Sequence, residues 1–167
     1  MNGLKIYRIL SYLLLPIAAL LAFMTLMALL VSLGNLAMLF SAFITGSCVI
    51  YIFSSFSFLQ KGVDRQLSLK PLLKDWIKVN GYVATFFSVM GLMQGIVLLS
   101  NPATLKTAMD QFSSMPTSAA MADMDMNLML KVMKGVLVFI VVLSVLLLIH
   151  IRSTFRLLKQ YGHLFGA

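Results

Sequence analysis

The sequence predicts an all-α integral membrane protein, a four-span helical bundle made of two tandem helical hairpins with both termini cytoplasmic. Three observations predict it. Of the 167 residues, 60% are hydrophobic and 11% charged, with a mean hydropathy of +0.98. A soluble domain is about 25% charged, so this chain lacks the polar surface to cover a globule in water, and lipid must solvate much of it. The charges are also segregated: residues 9–60 contain no Asp, Glu, Lys, Arg or His. Finally, ten of the thirteen basic residues fall in three short segments that a four-span topology places on one side of the membrane.

The first span is read at residues 9–32. Lys5 and Arg8 before an apolar run imitate a signal peptide. An h-region is only about 7–15 residues, and this run is longer, so an uncleaved span is expected. Pro16 removes a backbone donor and is expected to kink the helix. Gly34 and Asn35 favour a tight turn, and span 2 follows at 36–59, since a crossing takes about 20 residues.

Residues 61–78 form a basic connector. Leu69, Leu72, Leu73, Trp76 and Ile77 recur at helical spacing, with Lys70, Lys74 and Lys78 opposite. That is an amphipathic helix suited to the headgroup layer, with Pro71 in its first turn. It reads as a solvated connector that orients span 3, or as a docking site for anionic lipid or an acidic partner. Span 3 is read at 79–100. Asn101-Pro102 stops it and caps a short helix at 103–112 carrying Leu105, Met109 and Phe112 on one face. After a break at 113–118 a helical pattern resumes and enters span 4, at 134–151. Residues 101–133 are the outer loop. Residues 152–167 are an amphipathic tail that presents Arg152, Arg156 and Lys159 to the membrane surface.

Orientation follows from charge. Lys5, Arg8, the five basic residues of the connector and the three of the tail share one side, while Lys106, Lys131 and Lys134 oppose Asp110, Asp123 and Asp125 on the other. The positive-inside rule makes the first side cytoplasmic, and Trp76 with all five tyrosines falls toward it as an interfacial belt. The net charge of +8 sits at the ends of apolar runs, so the expected partner is the bilayer, with anionic lipid at its cytoplasmic face, and not nucleic acid.

The spans contain an internal repeat. Residues 50–59, IYIFSSFSFL, align without gaps on 149–158, IHIRSTFRLL. Each half also opens on a basic–aromatic segment, Lys5-Ile-Tyr7 and Lys74-Asp-Trp76. Two copies of a hairpin, both starting inside, would form a parallel repeat about an axis along the membrane normal. Chance likeness of apolar helices is the competing account.

Span 3 carries Ala84, Ser88, Gly91 and Gly95 on one face, and small faces allow the close helix approach on which packing in lipid depends. Gln94 is the strongly polar side chain deepest in a span, and an interhelical hydrogen bond is its expected role. The smaller stock of such residues in span 4 predicts that spans 1 to 3 form the tight core.

The chemistry is otherwise sparse. No ionisable residue lies between Arg8 and Lys61, Lys78 and Lys106, or Lys134 and His150, so ion-coupled transport lacks its usual machinery. His150 and His163 have no carboxylate nearby in sequence. Five acids do not supply paired carboxylates or a Ser/His/Asp set, and an enzyme is not expected. Cys48 is the single cysteine. The run Met121, Met124, Met126 is the one metal candidate, because thioethers select Cu(I); methionine as adaptable packing is the alternative. No catalytic residue and no cofactor is expected. The reading that results is a non-enzymatic membrane protein acting through helix–helix contacts, as an accessory or assembly subunit or a homo-oligomer. A small transporter or channel is the rival, and outer-face Cu(I) binding a third. With no eukaryotic sorting or lipidation signal, a bacterial inner membrane is the expected home.

Overall fold

A computed structural model of the chain describes residues 2–31, 35–113 and 126–166. These residues are helical throughout their length apart from short connections. The helices are α1 (Asn2–Val31), α2 (Leu36–Ser57), α3 (Pro71–Ser100), α4 (Pro102–Ser113) and α5 (Met126–Gln160). Four stretches are long and apolar enough to cross a membrane: Gly3–Leu30, Leu39–Asp64, Pro71–Ser100 and Asn127–Gln160. The chain is therefore an all-α, multi-pass membrane protein.

The helices outrun the expected spans, and the reason is physical. Span ends were placed at charges, but Lys and Arg are good helix formers and do not stop a helix. Residues 71–78 are accordingly not a separate surface helix. Pro71 opens α3, its fixed φ suiting a first turn, and nothing breaks the helix before Ser100. Leu69 and Ile77 are buried, whereas Leu72 and Trp76 are 62% and 47% exposed, so the expected apolar face is divided. In the same way α5 takes in residues 126–133 of the expected outer loop and 152–160 of the expected tail. Pro16 lies within α1, which continues on both sides of it.

Two local devices set helix boundaries. After α2 the chain widens into a π-helical segment, Phe58–Asp64. It closes with Gln66 in the left-handed region at φ 52°. Gln66 N–H donates to the Gly62 carbonyl and Leu67 N–H to that of Lys61, a Schellman-like cap with a wider ring. The capping of α4 was foreseen: the Asn101 side chain accepts from the N–H groups of Ala103 (3.0 Å) and Thr104 (3.3 Å).

The described residues fall into two compact units, one from Met1–Phe87 with Leu146–Ala167, the other Ser88–Val145. In the first, α1 packs on α2, and Phe58 stacks on Phe165 at 5.8 Å. Leu69 N–H donates to the Leu164 carbonyl at 2.8 Å. In the second, Leu105 and Met109 of α4 are buried, and Gly95 and Gly91 of α3 lie against Val141 and Ser144 of α5.

Burial reproduces the internal repeat in register. Tyr7, Ser11, Leu14, Ala18 and Thr25 are buried in α1, and Ile77, Gly81, Ala84, Ser88 and Gly95, each seventy positions later, are buried in α3. Tyr51, Ile52, Ser55, Phe58 and Leu59 match His150, Ile151, Thr154, Leu157 and Leu158. A ring pair recurs as well, Tyr12–Phe56 at 5.4 Å and Tyr82–Phe155 at 5.2 Å. This register pairs Tyr7 with Ile77 and Arg8 with Lys78, one residue beyond the pairing of the basic–aromatic segments.

Candidate functional site

Five polar side chains of the first unit converge on His150. The local rule that brings them together is simple: residues four apart share a helix face. Tyr7 and Ser11 do so on α1, Tyr51 and Ser55 on α2, and His150 and Thr154 on α5. All six are at most 1% exposed.

The imidazole is held at both nitrogens. Nε2 is 2.9 Å from Ser11 Oγ, and Nδ1 is 2.9 Å from Tyr51 Oη. Tyr51 Oη continues to Thr154 Oγ1 at 2.8 Å, which stands 3.4 Å from Ser55 Oγ. Tyr7 closes the ring by donating to the Ser55 carbonyl at 3.1 Å, with Ser55 Oγ at 3.0 Å. Its own ring stacks on the imidazole at 5.0 Å, and Tyr51 meets it edge-on at 5.7 Å.

Counting protons gives two self-consistent arrangements for a neutral histidine. If Nε2 carries the proton it donates to Ser11, Ser11 donates to the Tyr7 carbonyl (2.8 Å), and Tyr51 donates to Nδ1. If Nδ1 carries it, Tyr51 turns toward Thr154, and Ser11 donates to Nε2. In both, Thr154 donates to its own helix at the His150 carbonyl (2.9 Å); Ser11 uses the Tyr7 carbonyl only in the first. No buried side-chain nitrogen or oxygen among the described residues lacks a partner. In a bilayer an unmatched polar group is costly, so this network ties α1, α2 and α5 into one register.

The contacts also respect the repeat. Tyr51 and His150 are counterparts, as are Ser11 and Gly81. Ser11 meets His150 across the halves, and a Cβ at Gly81 would stand 3.3 Å from Tyr51 Cδ2 and 2.9 Å from Phe155 Cζ. The imidazole–phenol pair thus lies where the two halves exchange.

Ser11 and His150 stand at the distance of a nucleophile and its base, with Tyr51 in the orienting position. Yet Ser11 is 1% exposed, and its neighbouring N–H groups belong to a helix interior, which leaves no donors for an oxyanion. The arrangement joins three helices through buried hydrogen bonds.

The residues singled out from sequence are scattered by comparison. Ala84 and Ser88 are buried, and Gly91 and Gly95 pack closely against α5. The expected three-helix core is thus corrected, since the small face of α3 serves α5, the helix thought poorest in partners. Gln94 is exposed and off this face, one residue from Gly95 and so about 100° round the helix. Lys70, Trp76, Lys78, Arg152, Arg156 and Lys159 are exposed and Lys74 half-buried. Met121 and Met124 lie outside the described residues, as does the side chain of Met126. Among the described residues no three His, Cys, Asp or Glu side chains gather.

Sequence reasoning missed the His150 cluster by treating each residue by its neighbours along the chain. The signal was present: three spans carry Tyr-x-x-x-Ser, Tyr-x-x-x-Ser and His-x-x-x-Thr near their basic ends, and the repeat lays Tyr51 and Ser55 over His150 and Thr154. The chain matches no protein-family model, and no curated protein or solved structure is detectably similar to it.

Proposed function

We propose that this chain is a non-enzymatic integral membrane protein that acts through helix–helix contacts, as an accessory or assembly subunit of a membrane complex or as a homo-oligomer. One observation carries the reading. Six polar side chains of the first unit face inward and satisfy one another around His150, while α1 and α2 carry large apolar side chains on their outer faces. Leu20, Phe23, Phe40 and Phe43 are 61–64% exposed. Large rings on a small-residue helix suit a protein partner as well as lipid. Both termini are taken as cytoplasmic, in a bacterial inner membrane, with the basic helix ends on anionic lipid.

The transporter or channel reading has less support. Such a path would have to be lined by Gln94 and the hydroxyls of spans 1 to 3. Gln94 is exposed, and Thr25, Thr45 and Ser47 donate to their own helix at the carbonyls of Leu21, Ser41 and Phe43. Outer-face Cu(I) binding rests on methionines outside the described residues; Cu(I) titration against a competing chelator tests it, and no binding tighter than the chelator's removes it.

The main reading is tested by photo-cross-linking in native membranes, with a photoreactive residue at Phe23, Phe40 or Phe43. A discrete protein adduct of one mass is expected. Lipid adducts alone from all three positions would overturn the reading.

A further inference from the structure

Lys74 and Lys78 of α3 and Lys159 of α5 line a cavity of about 370 Å³ whose apolar wall includes Tyr82, Phe155 and Leu158. No carboxylate lines it, and none of the three lysines is ion-paired with a described residue. Asp75 is on the same helix but not in the wall. Lys74 Nζ stands 5.7 Å from the Phe165 ring, which holds one ammonium group at the rim.

The internal repeat supplies a control. The counterpart of Tyr82–Phe155 is Tyr12–Phe56, and around it the charges differ. Arg8, the counterpart of Lys78, is neutralised by Asp64. The counterparts of Lys74 and Lys159 are Leu4 and Gln60. Two copies of one aromatic pair therefore sit beside a closed ion pair in the first hairpin and beside three unmatched ammonium groups in the second. Like charges gathered in one cavity repel, and an anion with several acceptor oxygens relieves that repulsion. Tyr82, 66% exposed, and Leu158 beside these lysines add an amphipathic wall of the kind found at the headgroup level.

We propose that Lys74, Lys78 and Lys159 bind the phosphate headgroup of an anionic phospholipid, whose glycerol shoulder and first methylenes lie on Tyr82 and Phe155. This rests on the reading above that places the basic helix ends at an anionic leaflet. The test uses the full chain, delipidated in mild detergent and titrated with phosphatidylglycerol or phosphatidylcholine under native mass spectrometry. One phosphatidylglycerol is expected to bind in preference. The triple variant K74Q/K78Q/K159Q should weaken it at least about tenfold, since one lysine is worth about fivefold near such a headgroup. The Lys→Arg triple variant should retain it, and K5Q/K61Q/R65Q, with the same loss of charge elsewhere, should change it by less than about threefold. Equal weakening in both glutamine variants would overturn the cavity and leave the general leaflet reading standing. No preference for phosphatidylglycerol in the unaltered chain would overturn both. Displacement of the lipid by millimolar inorganic phosphate, with phosphate left bound, would overturn the lipid assignment.

Discussion

His150 has two ring nitrogens, and each has one hydroxyl. Because the neutral ring donates at one nitrogen and accepts at the other, the contacts to Ser11 and Tyr51 are joined through a single proton. Tyr51 also reaches Thr154, whereas Ser11 retains its own helix carbonyl when the imidazole is lost. Tyr51→Phe is therefore expected to lower unfolding stability in nanodiscs by about 1 kcal/mol, toward the upper end of measured interhelical hydrogen bonds in membranes. Ser54→Ala, one residue from the cluster on the same helix, should cost less than about 0.5 kcal/mol. Equal losses would remove the cluster from the account. None of this depended on a rare residue type. It was hidden because burial of a histidine at a basic helix end is decided by which hydroxyls other helices bring to it.

At the scale of elements, α3 and α5 meet through glycine. A Cβ at Gly95 would stand 2.5 Å from Val141 Cγ2, and one at Gly91 3.3 Å from Ser144 Oγ, while at Gly135 nothing lies within 4 Å. Val141 is β-branched and stiff at χ1, so Gly95→Ala should destabilise by about 1–3 kcal/mol, the usual range for overpacking. Adding Val141→Ala should recover more than half of that loss. Gly135→Ala should be neutral or stabilising by up to about 1 kcal/mol, because alanine replaces the poorest helix former short of proline. Thermal unfolding of the purified variants checks all three, and a loss at Gly135 matching that at Gly95 would contradict the packing. The small face of α3 was legible because spacing alone defines it. Its partner was not: Val141 and Ser144 look unremarkable in an apolar run, and the fit depends on where a residue is absent. Helix length was misjudged for a related reason, as Lys131, Lys134 and Arg152 mark a change of solvent without ending the backbone's hydrogen-bond ladder.

For the whole molecule, the repeat organises the account. The hairpins share register, buried positions and a Tyr–Phe pair, and differ in charge around that pair. The four spans were legible from composition, since residues 9–60 admit no charge and no other solvent suits them. The proposed orientation rests on the charge distribution. In a Cys48→Ser background, cysteines at Arg65 and His163 should be labelled only from the cytoplasmic side, and one at Lys106 only from the outside; the reverse would invert the topology.

The central claim is that the chain works by contact with other membrane helices. The most direct test is the mass of the particle extracted from its native membrane in mild detergent, with every co-purifying chain identified. The account predicts a second protein in fixed ratio, or a defined multiple of the 18.5 kDa chain. A lone chain of that mass, carrying only lipid, would contradict it.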